Sequence, residues 1–76
     1  MRIYSEDTKI SNVCEMLNTL FVNTDVRSTT NIDAKVQESV IASARDMEMI
    51  KMEPDGNGSF QYRITQKGKN YRDIGV

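Results

Sequence analysis

The chain has 76 residues, an apolar fraction of 38%, a charged fraction of 28% and a net charge of −1, which is ordinary for one small globular domain over residues 1–76. No apolar run approaches the roughly 18 residues that a membrane-spanning helix needs. The segment Met1–Asp7 lacks the apolar core of a signal peptide. We therefore expect a cytoplasmic protein with no membrane span.

The absence of histidine and the single cysteine narrow the chemistry further. Histidine is the most frequent general base and a frequent ligand of transition metals, so we expect neither an enzyme nor a metal or cofactor site. A single cysteine excludes an intramolecular disulfide. Cys14 lies on the apolar side of the first predicted helix, where we expect it to be buried.

The first predicted element is an amphipathic helix that begins after Asp7 or Thr8, either of which suits an N-cap, and ends near Asn23. The short segment Val26–Arg27 follows a turn and is a candidate for a third strand. The apolar positions of the helix recur at helical spacing and are Ile10, Val13, Cys14, Leu17, Leu20 and Phe21.

Two further helices are predicted before Met49. The hydroxyl of Thr30 precedes the carboxylate of Asp33 by three residues, as in a capping box, and predicts a helix start at Thr30. Ser39 is a reasonable N-cap for the third helix. No glycine or proline separates the two, so a single helix from Asn31 to Met49 is the alternative, although we favour two. The third helix should bury Val40, Ile41, Ala44 and Met47.

A hairpin is predicted next, with strands at Ile50–Glu53 and Ser59–Thr65. The proline and two glycines of Pro54–Gly58 supply the fixed and positive φ angles of its turn. The second strand alternates apolar and polar residues, and its apolar face should pack on the helices. That face consists of Phe60, Tyr62 and Ile64.

A short final helix should follow Thr65, which suits its N-cap, and run from Gln66 to about Asp73. Tyr71 and Ile74 are expected to turn inward. The fold class is therefore α+β, with three helices, a C-terminal two-stranded hairpin, a candidate third strand and a short terminal helix.

The segment Tyr62–Gly68 resembles the wing motif of the winged helix-turn-helix superfamily, in which an apolar strand runs into Leu-Thr-x-Lys-Gly. The turn Asp55–Gly58 and the helix start at Ser39-Val40 also fit the small regulators of the MarR and PadR kind. The resemblance covers about residues 29–70. It implies a small winged-helix domain that docks its helix-turn-helix and its wing on double-stranded DNA to regulate transcription.

The outward stripe of the third helix consists of Ser39, Ala42, Ser43 and Asp46, and its small side chains allow close approach to a DNA groove. Arg45, at its border, offers the bidentate contact that recognises guanine. Residues 60–76 have a net charge of +3 against −4 for residues 1–59, which favours contact with a polyanion. The predicted DNA contacts are Lys35, Ser39, Ser43 and Arg45 in the groove and Arg63, Lys67 and Lys69 on the backbone.

A second hypothesis is a protein-interaction module, such as a small phage-like or plasmid-like factor that binds a host protein without binding DNA. It is motivated by the mild net charge, by the small-residue face of the third helix and by the adaptable side chains of Met47, Met49 and Met52. A homodimer through the first helix and a monomer both stay open.

Overall fold

The computed structural model describes residues 8–75, and within them four helices and a three-stranded antiparallel sheet confirm the α+β class. None of these helices is long and apolar enough to cross a membrane. In chain order the elements are α1 (Val13–Leu20), β1 (Val26–Ser28), α2 (Thr29–Lys35), α3 (Glu38–Asp46), β2 (Ile50–Pro54), β3 (Phe60–Ile64) and α4 (Gln66–Ile74).

The sheet has the order β1-β3-β2, so the candidate third strand is confirmed and β3 is central. β2 and β3 form the hairpin, with Ile50 opposite Ile64 and Pro54 opposite Phe60. β1 pairs with the other side of β3, with Val26 opposite Arg63. A two-stranded hairpin alone is marginal in water, so β1 and the helices stabilise it.

The hairpin turn has the predicted chemistry. Gly56 and Gly58 both have a φ of +87°, a conformation that side chains with a Cβ rarely adopt. The Asp55 carboxylate accepts hydrogen bonds from the amides of Asn57 at 2.7 Å and Ser59 at 3.2 Å. The contacts that hold the turn are therefore local in sequence.

The predicted start of the first helix at Thr8 is wrong, and the alternative Asp7 lies outside the described residues. α1 begins at Val13, because the side chain of Asn12 accepts a hydrogen bond from the Glu15 amide at 2.7 Å. The segment before α1 is extended instead of helical at Ile10, whose amide and carbonyl bond to Lys35 and Gln37, on either side of Val36. The helix also ends at Leu20, three residues before the predicted Asn23.

The prediction of two helices between residues 29 and 49 is confirmed, but their bounds differ. Val36 is extended, with φ −127° and ψ 140°, and forms a parallel bridge with Ile10. The Ile10 amide donates to the Lys35 carbonyl at 2.9 Å, and the Gln37 amide donates to the Ile10 carbonyl at 3.0 Å. We call this contact the Ile10 latch, and it explains a break that contains neither glycine nor proline.

Three predicted helix boundaries in this region are wrong. α2 is capped by Ser28, which accepts from the Asn31 amide at 3.1 Å, and not by Thr30. α3 follows Gln37 and not Ser39, because the Ile10 latch ends at that residue. α3 also stops at Asp46, before the predicted Met49.

The core lies between the helices and one face of the sheet, and it includes Met16 and Met49, which the sequence analysis did not place there. Cys14 is exposed, contrary to prediction, because the buried side of α1 is centred on Leu17 and Leu20. Other buried core residues are Phe21, Ile32, Val36, Val40, Ile41, Ala44, Ile50, Tyr62 and Ile64.

Three other apolar side chains predicted to face inward are exposed. Met47 is 37% exposed because it lies beyond the last turn of α3, and Ile74 is 72% exposed at the end of α4. Phe60 is 50% exposed at the turn end of β3. In contrast, Tyr71 packs against the core as predicted.

Gly68 is where α4 approaches the sheet most closely. The predicted Thr65 cap is confirmed, since its side chain accepts from the Gly68 amide at 3.0 Å. A Cβ on Gly68 would clash with the Met49 carbonyl oxygen and lie 2.8 Å from Cγ1 of Ile64. Only glycine fits between α4 and the start of β2.

We predict that Gly68→Ala lowers the free energy of unfolding by about 2 kcal/mol, because the added methyl group overfills a packed contact with backbone. Asn70→Ala on the exposed side of the same helix is the control and should change it by less than about 0.5 kcal/mol. Urea denaturation of both variants measures the difference. Equal stabilities would contradict the close packing of α4.

Candidate functional site

The outward face of α3 carries the side chains that the helical periodicity places there. Val40, Ile41 and Ala44 are buried. The opposite side is therefore turned to solvent, and its exposed residues are Glu38, Ser39, Ala42, Ser43, Arg45 and Asp46. We call this surface the α3 face.

An open cleft of about 670 Å³ lies where the end of α3, the strand β2 and the start of α4 meet. It brings together Arg45 and Lys67, two predicted site residues that are distant in sequence, and adds Lys51, which was not predicted. Glu48 is its acidic residue. We call this site the basic cleft, defined by Arg45, Lys51 and Lys67.

The backbone around Thr65 holds the two sides of the basic cleft together. Thr65 donates its hydroxyl to the Glu48 carbonyl at 2.6 Å and its amide to the Met49 carbonyl at 2.9 Å. Glu48 has a positive φ of 59°, which turns the chain sharply between α3 and β2. These contacts place the end of α3, with Arg45, beside the first turn of α4, with Lys67.

The predicted basic residues divide into paired and unpaired ones. Arg63 forms an ion pair with Glu53 at 2.8 Å, and Lys69 forms one with Asp25 at 3.2 Å. Within residues 8–75 the remaining predicted cations form no ion pair, and the same holds for Lys51. The predicted cations that are free to meet an external anion are therefore Lys35, Arg45 and Lys67.

Part of the positive charge near the C-terminus serves the fold. The guanidinium of Arg72 donates to the Phe21 carbonyl at 2.9 Å, and Arg27 donates to the Leu20 carbonyl at 2.7 Å. α1 has no basic residue in its own last turn, so these two arginines stabilise its C-terminal carbonyls. The hydrogen bond that Arg72 donates to Asp73 raises the pKa of Arg72 above its ordinary value.

Glu53 accepts hydrogen bonds on the outer face of the hairpin, which is the face turned away from the helices. Its carboxylate accepts hydrogen bonds from Gln61 and Arg63, both at 2.8 Å. The bond from Gln61, followed by that from Arg63, lowers the pKa of Glu53 below its ordinary value. Lys51 stands directly opposite Arg63, so its nearest cross-strand neighbour is a like charge.

The lowered pKa of Glu53 predicts a pH-dependent contribution to stability. The contribution is complete above the ordinary pKa of 4.5 and is lost as the pH falls through the lower folded-state value. Glu53→Gln should therefore be less stable than the parent at neutral pH, and the difference should shrink on acidification. Urea denaturation between about pH 3 and pH 7 measures it. A difference that is constant across this range would contradict the assignment.

No group of three or more cysteine or acidic side chains is placed to hold a metal ion in the part of the chain that the structure describes. Comparisons with protein-family models, with curated proteins and with solved structures found no match. The α3 face and the basic cleft are therefore interpreted from their geometry and charge.

Proposed function

We propose that the chain is a winged helix-turn-helix domain, similar to the small MarR and PadR regulators, that binds duplex DNA in transcriptional control. The order helix, strand, helix, helix, strand, strand, helix and the sheet order β1-β3-β2 support this interpretation. In it α2 and α3 form the helix-turn-helix, and the hairpin of β2 and β3 is the wing.

The observation that carries the proposal is the position of unpaired cations beside a helix face of small side chains. Ser39 and Ser43 allow α3 to approach the floor of a groove. Arg45 and Lys67 lie in the basic cleft at the end of the same helix. A surface of this kind combines access to base edges with charge for the phosphates.

Each predicted residue has a role in this proposal. Ser39, Ser43 and Arg45 contact base edges, whereas Lys35 and Lys67 contact phosphates. Arg63 and Lys69 contribute less, because DNA must compete with the acids that already bind them.

The ion-pair pattern predicts that Lys67→Ala and Lys69→Ala differ in their effect on DNA affinity. With Lys35 and Lys67 each neutralising one phosphate, log affinity against log salt has a slope of about −1.8. Lys67→Ala should reduce this slope by about 0.9, whereas Lys69→Ala should change it less. Fluorescence titration with a labelled duplex at several salt concentrations measures both.

Weak binding of the parent with almost no salt dependence would contradict DNA binding. Equal slopes for Lys67→Ala and the parent would contradict the role of the basic cleft. Thermal unfolding of each variant shows whether a lost slope reflects a lost contact or a lost fold.

Arg45 should carry base preference in addition to charge. Arg45→Ala is expected to relax the preference at one base pair by about 1–3 kcal/mol. Arg45→Lys is the matched control, because it keeps the charge but lacks the planar fork that contacts guanine. It should lose the preference and keep the salt slope. Selection from a random duplex library compares the three proteins, and identical preferences would contradict this role.

A second candidate function is protein binding by the same α3 face. Met47 is 37% exposed at the end of α3, and methionine adapts well to binding surfaces. Met49 does not contribute, because it is buried in the core. A stoichiometric host partner recovered after nuclease treatment, together with no affinity for any duplex, would favour this function over DNA binding.

A further inference from the structure

β2 is an edge strand, because the sheet order within the described residues gives it β3 as its only neighbour. Its other side opens onto the basic cleft, whose lining includes Ile50 and Met52. An edge strand exposes a row of backbone amides and carbonyls that another strand is able to bind.

The hydrogen bonds at the two ends of the hairpin show which backbone groups point outward. The Asp55 amide donates to the Ser59 carbonyl at 3.0 Å, and the Thr65 amide donates to the Met49 carbonyl at 2.9 Å. Hydrogen-bonded pairs alternate along an antiparallel ladder, so the residues that bond toward β3 are Met49, Lys51, Glu53 and Asp55. The backbone groups of Ile50, Met52 and Pro54 therefore point to the open edge.

We propose that a second copy of this chain pairs with the edge, its β2 running antiparallel to the first and Met52 facing Met52. In this register Ile50 stands opposite Pro54 of the second copy. The two Met52 residues exchange amide-to-carbonyl hydrogen bonds, and each Ile50 amide donates to the opposite Pro54 carbonyl. The missing N–H of Pro54 leaves only the Ile50 carbonyls without a donor.

The charges of β2 are complementary to themselves in this register. Lys51 stands opposite Glu53 of the second copy, and the two-fold symmetry produces this pair twice. Both residues lie on the outer face of the sheet, where opposite charges in facing positions are stabilising. Within its own chain Lys51 faces Arg63 and forms no ion pair in the part that the structure describes. Glu53 of the second copy already binds Arg63 of its own chain at 2.8 Å, so in the dimer its carboxylate is shared between that Arg63 and Lys51.

An exposed apolar side chain of β2, that of Met52, also lies at the proposed contact. Met52 is 46% exposed on the helical face of the hairpin, and the two-fold axis brings the two Met52 side chains together. α1 offers no comparable apolar face, since its apolar residues turn toward the core. The exposed residues of α1 are Cys14, Glu15, Asn18 and Thr19. Val22, Phe60 and Ile74 are also exposed, but none of them belongs to β2, where the open backbone edge and the complementary charges occur together.

Charge reversal tests this register. Lys51→Glu places a carboxylate opposite Glu53 of the second copy at both symmetry-related positions, so self-association should weaken about tenfold or more. Glu53→Lys should weaken it similarly, because two ammonium groups then face each other at the same positions. An equimolar mixture of the two variants should restore association as a heterodimer, since every facing pair is then opposite in charge. Sedimentation velocity over a concentration series at low salt measures all four samples.

Two further variants test whether the backbone edge of β2 itself is needed for association. Met52→Pro removes an outward amide that the hairpin does not use, so it should abolish association while the circular dichroism spectrum stays that of the parent. Thr19→Ala, on the exposed side of α1 and outside the basic cleft, is the control and should leave association unchanged.

A parent protein that stays monomeric at every concentration would overturn the proposal. Failure of the mixed variants to associate would also overturn it, provided that each is folded. Unchanged association of Met52→Pro would place the contact elsewhere. The samples contain no DNA, so these outcomes do not depend on the proposed function.

Discussion

The corner at which α3 ends and α4 begins is the constraint on which the candidate site depends. Thr65 bonds to the carbonyls of both Glu48 and Met49, and the missing side chain of Gly68 lets α4 lie against the Met49 backbone. Without this close approach the first turn of α4 would stand farther from α3. Arg45 and Lys67 would then no longer share a cleft, although neither takes part in the contact itself.

The parts of the fold that the sequence predicted correctly depend on short-range chemistry. The glycines of the hairpin turn adopt their φ angles within the turn, and Thr65 caps α4 through the amide of Gly68, three residues further on. Helix starts were harder, because Ser28 competes with Thr30 and Asn12 competes with Thr8 for the same capping role. Tertiary contacts decide such competitions, and in the chain between α2 and α3 the deciding contact comes from Ile10.

The candidate site was predictable to a similar extent. Helical periodicity identified the α3 face, since burial of Val40, Ile41 and Ala44 leaves only one side of the helix exposed. The ion pairs that engage Arg63 and Lys69 were not predictable, because their acids come from another strand and from the loop before β1. Lys51 was missed for a related reason: its importance comes from an open sheet edge, which only the strand order reveals.

The Ile10 latch links the beginning of the chain to the presentation of α3. The free energy that keeps α2 and α3 separate is supplied partly by two hydrogen bonds to a residue that precedes α1. Any process that withdraws this segment, such as proteolysis or the binding of its backbone by another molecule, breaks these two hydrogen bonds and loses their contribution. The orientation of the α3 face is thereby thermodynamically coupled to a part of the chain that carries none of its side chains.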